Sequence, residues 1–188
     1  MGERASDLWD GLPETTAFLF GRGKRPIIIS GEVAYVPLAD GRVAVIDAAD
    51  AETVANHSWA ACPMGNVTYA VTGMRRDGVK RNLGLHRLIV ECSRDQVVDH
   101  IDCDGLNCRR YNLRAARQAE NARNSRMRSS NTSGFKGVFW RADRQKWQAQ
   151  IRLDRKRICL GTFETAEQAG AAYADAAKRL HGQFAREA

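Results

Sequence analysis

Gly134-Phe-Lys-Gly-Val-Phe-Trp-Arg141, Lys146-Trp-Gln-Ala-Gln-Ile-Arg-Leu153 and Arg157-Ile-Cys-Leu-Gly-Thr-Phe163 are three β-type runs in succession, joined by Ala142–Gln145 and by the tight turn Asp154–Lys156. A Thr165-x-x-Gln168 capping box follows, then a helical pattern that stops at Gly182. Ala169, Tyr173, Ala176 and Leu180 recur at spacings of three and four, which predicts the helix face that meets the strands. Period-two alternation sends Ala149, Ile151, Ile158 and Leu160 toward that helix. It leaves Phe139, Arg141, Gln148, Gln150, Arg152 and Arg157 on the opposite face. Residues 131–188 are therefore expected to form a three-stranded antiparallel sheet packed on one helix.

This sheet lies in the most basic part of the chain. Residues 123–157 carry 11 Lys and Arg against 2 Asp and Glu, whereas residues 1–70 carry 5 against 9. Residues 71–122 carry 10 against 7 and residues 158–188 carry 3 against 4, and the whole chain of 188 residues has a formal net charge of +7. So local an excess attracts polyanions and makes binding salt-dependent, although a solvated basic face has the same composition. The major groove admits a β-ribbon, with Arg forking to guanine and Gln to adenine. Trp140 and Trp147 read as packing residues, and Lys156 is either a phosphate contact or solvated.

Upstream, residues 1–25 read as a weakly structured lead-in. Ile27–Ile29, Val33–Leu38 and Val43–Ile46 are short β-type runs, with Asp40-Gly41 as a hairpin signal. Ala48–His57 reads as a short helix with Asp47 as its N-cap. Val67–Thr72 and Leu83–Cys92 are apolar runs around an Asp77-Gly78 turn. Ser125–Ser133 has linker composition. The expected organisation is a lead-in over 1–25, a β-rich domain over 26–124, a basic linker over 125–130 and the sheet domain over 131–188, an α+β chain.

Hydrophobic residues at 44% and charged residues at 27% suffice for a folded core. No apolar stretch approaches the roughly 18 residues of a membrane span. The N-terminus has no apolar signal core, and five cysteines, an odd count, suit a reduced cytoplasm. A membrane partner and a secreted disulfide scaffold are not expected.

The densest chemistry lies between Leu85 and Asn124. Val97-Val98-Asp99-His100 precedes a turn-rich stretch to Tyr111, then Asn112-Leu113-Arg114 and the helical Gln118–Asn124. A strand, a long loop, a second strand and a helix would bring Asp99, His100 and Asn121 together. Hard oxygen ligands of that kind hold a divalent cation, and an uncoordinated imidazole takes a proton from water. A calcium-loop reading of Asp102-x-Asp104-Gly105 fails, because His100 and Tyr111 occupy ligand positions. Cys103 and Cys108 lack a second Cys-x-x-Cys pair, so a structural zinc is not expected. His57 and His181 read as ordinary helix residues.

Leu85-His86-Arg87-Leu88-Ile89, Val98-Asp99-His100-Ile101-Asp102, Asn107-x4-Asn112-Leu113-Arg114 and Gln118-x-x-Asn121 together resemble the HNH endonucleases of the phage and homing type. That resemblance implies a ββα-metal finger in which Asp99 and Asn121 bind one Mg²⁺ or Mn²⁺, His100 is the general base and Asn112 braces the loop. It implies a phosphate contact or packing role for His86 and Arg87. Cys103 and Cys108 depart from the residues usual in that loop.

Asn131-Thr-Ser-Gly-Phe-Lys-Gly-Val138, with the strand runs and Thr165–Tyr173, resembles the Apetala-2/ethylene-response-factor DNA-binding domain. That resemblance implies DNA contacts at Lys136, Arg141, Gln150, Arg152 and Arg157. Phe139 and Cys159 depart from a usual arginine and tryptophan, so no target sequence carries over.

Together these resemblances imply a metal-dependent endonuclease that nicks or cleaves double-stranded DNA as a monomer, in the cytoplasm of a bacterial or phage-infected cell, with no small-molecule substrate. The alternative is a catalytically inactive DNA-binding transcriptional regulator. An RNA-binding protein is the further rival, disfavoured because no aromatic-rich ribonucleoprotein motif is present.

Overall fold

The computed structural model describes residues 17–21, 25–125, 127, 130–154 and 156–185, without the Arg76 side chain. The chain divides into two compact units, residues 1–115 and 116–188. The division falls before the basic stretch 125–130, because the helix preceding that stretch is tied to the sheet that follows it. Lys136 Nζ donates to the carbonyls of Arg123 and Ser125 at 2.6 and 2.8 Å.

The first unit opens with an antiparallel sheet of β1 (Ala17–Leu19), β2 (Ile27–Ser30), β3 (Val33–Pro37) and β4 (Val43–Asp47), in sequence order. β1 is a short edge strand within the stretch expected to be a weakly structured lead-in, and residues 1–16 and 22–24 of that stretch lie outside the described residues. A three-residue edge strand is too short to carry a pattern. In β3 and β4 the alternation is clear, with Ala34, Val36, Ala44 and Ile46 buried.

A 3-10 turn over Ala48–Asp50 and α1 (Ala51–Ala55) replace the expected longer helix. Asp47 does not cap it, since its carboxylate is taken elsewhere. A second antiparallel sheet is built from β5 (Ala60–Met64), β6 (Val67–Arg76) and β7 (Val79–Gly84). Asp77 and Gly78 turn between β6 and β7 with φ of 54° and 76°, the mirror-image turn that suits strand twist. The apolar run from Leu83 divides at Gly84 into the end of β7 and α2 (Leu85–Ile89), which buries Leu85 and Ile89 in the core. β8 (Gln96–His100) and β9 (Leu113–Arg117) pair as a two-stranded sheet.

In the second unit, α3 (Gln118–Asn124) precedes an antiparallel sheet of β10 (Val138–Arg141), β11 (Lys146–Leu153) and β12 (Lys156–Phe163), and α4 (Ala166–His181) packs on it. β10 begins later than expected, because Asn131 and Ser133 hold the preceding turn. Gly134 N–H donates to Asn131 Oδ1 at 2.9 Å and Ser133 Oγ to the Val138 carbonyl at 2.9 Å. Thr165 and Gln168 form the predicted reciprocal cap.

Two predicted core positions are displaced. Leu180 is 37% exposed, and the buried stripe of α4 runs instead through Ala169, Gly170, Ala176 and Ala177. These small residues bring the helix close, and a Cβ at Gly170 would lie 2.4 Å from the Phe135 ring. Ile158 is also 37% exposed, although it faces Ile151 directly. A bulge opposite Ala149 and Gln150, where Gly161 adopts φ 139°, puts Leu160 between the two core clusters and leaves Ile158 at the sheet edge.

Candidate nucleic-acid interface

β8 ends in two consecutive polar residues that are both buried, Asp99 at 4% and His100 at 5% exposure. A carboxylate that far from water needs a cation. Arg114, on the paired strand β9, supplies it by directing Nε and Nη2 at Asp99 Oδ2 over 2.9 and 2.7 Å. On the other side, His100 joins a ring cluster with Tyr69 and His86, at centroid distances of 5.6 and 5.0 Å. Cys108 Sγ lies 3.7 Å from His100 Nε2.

Burial pushes the His86 imidazole down to about 3, with His100 and Arg87 adding to the effect. Burial lowers His100 as well, against the pull of the Asp102, Asp99 and Asp104 carboxylates. Both rings are neutral at neutral pH, and burial drives the Cys108 thiol up to about 12. His86 Nδ1 has no hydrogen-bond partner among the described residues. His86 is half-buried and packs against the Tyr69 and His100 rings. Arg87 is exposed and makes a long 3.5 Å approach to the Gln96 carbonyl.

The 101–109 loop is laced from within. Asn112 donates from Nδ2 to Asp102 Oδ1 and the Asn107 carbonyl at 2.9 and 2.8 Å, and its Oδ1 accepts from Asp102 N–H at 3.1 Å. Asp102 Oδ2 also accepts from Asn107 Nδ2 at 2.7 Å. The loop then docks on β4. Val45 exchanges backbone hydrogen bonds with Leu106 and Cys108, both 2.8 Å. Asp47 accepts from Arg109 Nε and Arg110 N–H at 2.8 Å, and Asp50 accepts the Arg110 fork at 2.9 and 2.6 Å. Asp47 and Asp50 thus neutralise the two arginines at the end of the loop. The role of the Asp47/Asp50 and Arg109/Arg110 pairs was open to sequence only as complementary charge.

As built, Asp99 faces a guanidinium rather than an open position. A cation at Asp99 would sit against the Arg114 guanidinium, and among the described residues no group of three or more His, Cys, Asp or Glu is arranged to hold one. Asn121 lies half-buried on α3 of the second unit.

The second unit presents the outer face of its sheet. Arg152 and Arg157 are exposed and directly paired across β11 and β12, and Gln150 pairs with Cys159. Arg141 forks onto Asp143 with two contacts of 2.8 Å and donates from Nη1 to Gln148 Oε1 at 2.9 Å. Gln148 in turn donates to Cys159 Sγ at 2.9 Å. Asp143, held down to about 2 by Arg141, is charged throughout the ordinary pH range. Lys136 departs from its expected DNA contact, since its ammonium fastens the end of α3. His181, read as ordinary, anchors α4 by a 3.1 Å contact between Nε2 and the Arg152 carbonyl.

Protein 3.8 of Escherichia phage T7 is 37% identical over 89 residues, covering 47% of this chain and 73% of that protein. The chain belongs to the family of phage T7 protein 3.8. About half of it is also homologous to AP2/ERF transcription factors. Ethylene-responsive transcription factor ERF069 of Arabidopsis thaliana is 41% identical over 91 residues, 46% of this chain and 55% of the factor. ERN1 of Lotus japonicus is 46% identical over 63 residues, 32% of this chain and 23% of the factor. The chain thus spans about half or less of these plant factors. No family model and no solved structure matches it.

These relatives overturn the expectation of an endonuclease. They are a phage protein 3.8 and AP2/ERF transcription factors, none named as a nuclease. The expected roles of His100 as general base and of Asp99 and Asn121 as metal ligands rested on the HNH resemblance alone. Asp99 is held in a salt bridge to Arg114, and His100 packs in the ring cluster with Tyr69 and His86.

Proposed function

We propose that the protein is a duplex-DNA-binding regulator that docks through the outer face of β10–β12. The homology to AP2/ERF transcription factors carries this reading, and the chemistry of the face supports it. Arg152 and Arg157 stand exposed for phosphate contacts, while Arg141 and Gln150 offer donors suited to purine edges. Phosphate contacts supply affinity and register, and the few side chains that reach base edges supply sequence preference.

On this reading a monomer binds double-stranded DNA in the cytoplasm of a bacterial or phage-infected cell. The stretch from β8 through α3 has the strand, loop, strand, helix order of an HNH domain, and we read it as that scaffold without a reaction.

Fluorescence anisotropy with duplex DNA tests the docking face. The double change Arg152→Ala with Arg157→Ala should weaken binding about tenfold or more. It should also lower the slope of log affinity against log salt by about 2, one for each phosphate no longer neutralised. Undiminished affinity at moderate salt would remove this sheet as the docking surface.

A further inference from the structure

The β6–β7 hairpin carries a second basic surface. β5 pairs with β6 only as far as Val71, so from Thr72 to Leu83 the hairpin is a two-stranded ribbon. Its strands rise about 16 Å over five residues. Every residue from Gly73 to Asn82 whose side chain is described is exposed.

The register sets Arg75 directly opposite Lys80 on one side of the ribbon, beside the Gly73 and Asn82 pair, and Met74 opposite Arg81 on the other. Like charges directly opposite one another destabilise an antiparallel pair. Among the described residues no carboxylate forms an ion pair with Arg75, Lys80 or Arg81 to offset this. The Lys80 stem lies over Gly73, whose absent Cβ would be 3.6 Å from Lys80 Cε. That side is therefore low and basic, with the Lys80 stem lying across the glycine.

We propose that residues 73–82 are a second DNA-docking element, a β-ribbon that enters the major groove of duplex DNA. The groove, about 12 Å wide, accepts a two-stranded ribbon. Arg75, Lys80 and Arg81 meet phosphates, which relieves the repulsion the register builds in, and Asn82 faces base edges with an amide suited to adenine. The deep, narrow major groove of A-form RNA does not admit such a ribbon. The inference rests on the DNA-binding reading above but concerns a different surface.

The test uses the full chain and a labelled DNA duplex, titrated from about 0.05 to 0.3 M salt, a range over which phosphate binding falls steeply. The triple change Arg75→Ala, Lys80→Ala and Arg81→Ala should lower affinity about tenfold or more and reduce the salt slope by about 2 to 3. Lys80→Glu should leave the melting temperature equal or higher, because it sets an opposite charge against Arg75. It should nevertheless weaken DNA binding, and these opposite signs separate docking from a structural role. If the unaltered chain binds while the triple variant keeps its affinity and slope, the ribbon proposal falls and the sheet reading stands. Failure of the unaltered chain to bind overturns both. Equal competition by duplex RNA overturns docking in the groove.

Discussion

Arg114 with Asp99 and Arg141 with Asp143 are the same chemical object in two settings. Each is a forked guanidinium on a carboxylate, with contacts between 2.7 and 2.9 Å. The side chains of the first pair are 14% and 4% exposed, and those of the second 35% and 58%. In the first unit neither partner can leave without stranding a charge away from water, so the pair is part of the fold. On the sheet both partners retain water, so parting Arg141 from Asp143 strands no charge away from water and costs little. Burial decides which arginine is available to a nucleic acid.

The largest effect should come from Arg114→Ala. It leaves Asp99 buried without its cation and should cost about 3–5 kcal/mol, read as a lower midpoint in denaturant melts. Removing both charges, by Asp99→Leu with Arg114→Leu, should cost less than the single change, since nothing charged is stranded. A single change that costs under about 1 kcal/mol, the range of exposed ion pairs, would mean that the pair is as dispensable as the one on the sheet.

The ring cluster next to Asp99 predicts a pH dependence of stability, to which His181 of the second unit, also lowered by burial, adds in the same direction. His86 is held down to about 3 in the folded chain, against an unfolded value near 6.5. Between those values the unfolded chain binds the proton and the folded chain does not, so stability falls as pH falls below 6.5. At about 1.4 kcal/mol per pH unit, His86 should remove roughly 2 kcal/mol between pH 6.5 and 5. His100, also lowered by burial, acts in the same direction. Thermal melts at pH 7 and pH 5 measure the loss, and His86→Phe should flatten it. An unchanged slope in that variant would place the buried proton elsewhere.

The same contrast marks what could be read from the sequence. The three strands, the Thr165–Gln168 cap and the Gly182 stop were legible because strand alternation and capping act over a few residues. Leu180 and Ile158 were misplaced because a glycine contact with Phe135 and a bulge at Gly161 shift the faces, and neither leaves a trace in periodicity. The sequence marks Asp99 and His100 as a carboxylate beside an imidazole, but not what holds them. The deciding neighbour, Arg114, lies 15 positions away and becomes one only when β8 pairs with β9. Asp47 failed as a cap for a similar reason, since its partners Arg109 and Arg110 lie more than 60 positions downstream. Local rules are legible, whereas charge pairing across the fold is not.

The smallest expected change in stability, and the sharpest test of the exposed pair, is Asp143→Asn. It frees the Arg141 fork and removes a negative charge from the docking face without touching either core cluster. The melting temperature should therefore hardly move. Overall affinity for duplex DNA should stay level or rise slightly, because a competing anion is gone. Sequence preference should weaken, because Asp143 and Gln148 together fix the direction of the guanidinium, and a well-directed fork discriminates bases by about 1–3 kcal/mol. Comparing preferred with scrambled duplexes separates the two effects. Lost preference with retained affinity makes Asp143 an aiming device for Arg141, whereas lost affinity would mean that the pair, like the buried one, is built into the fold.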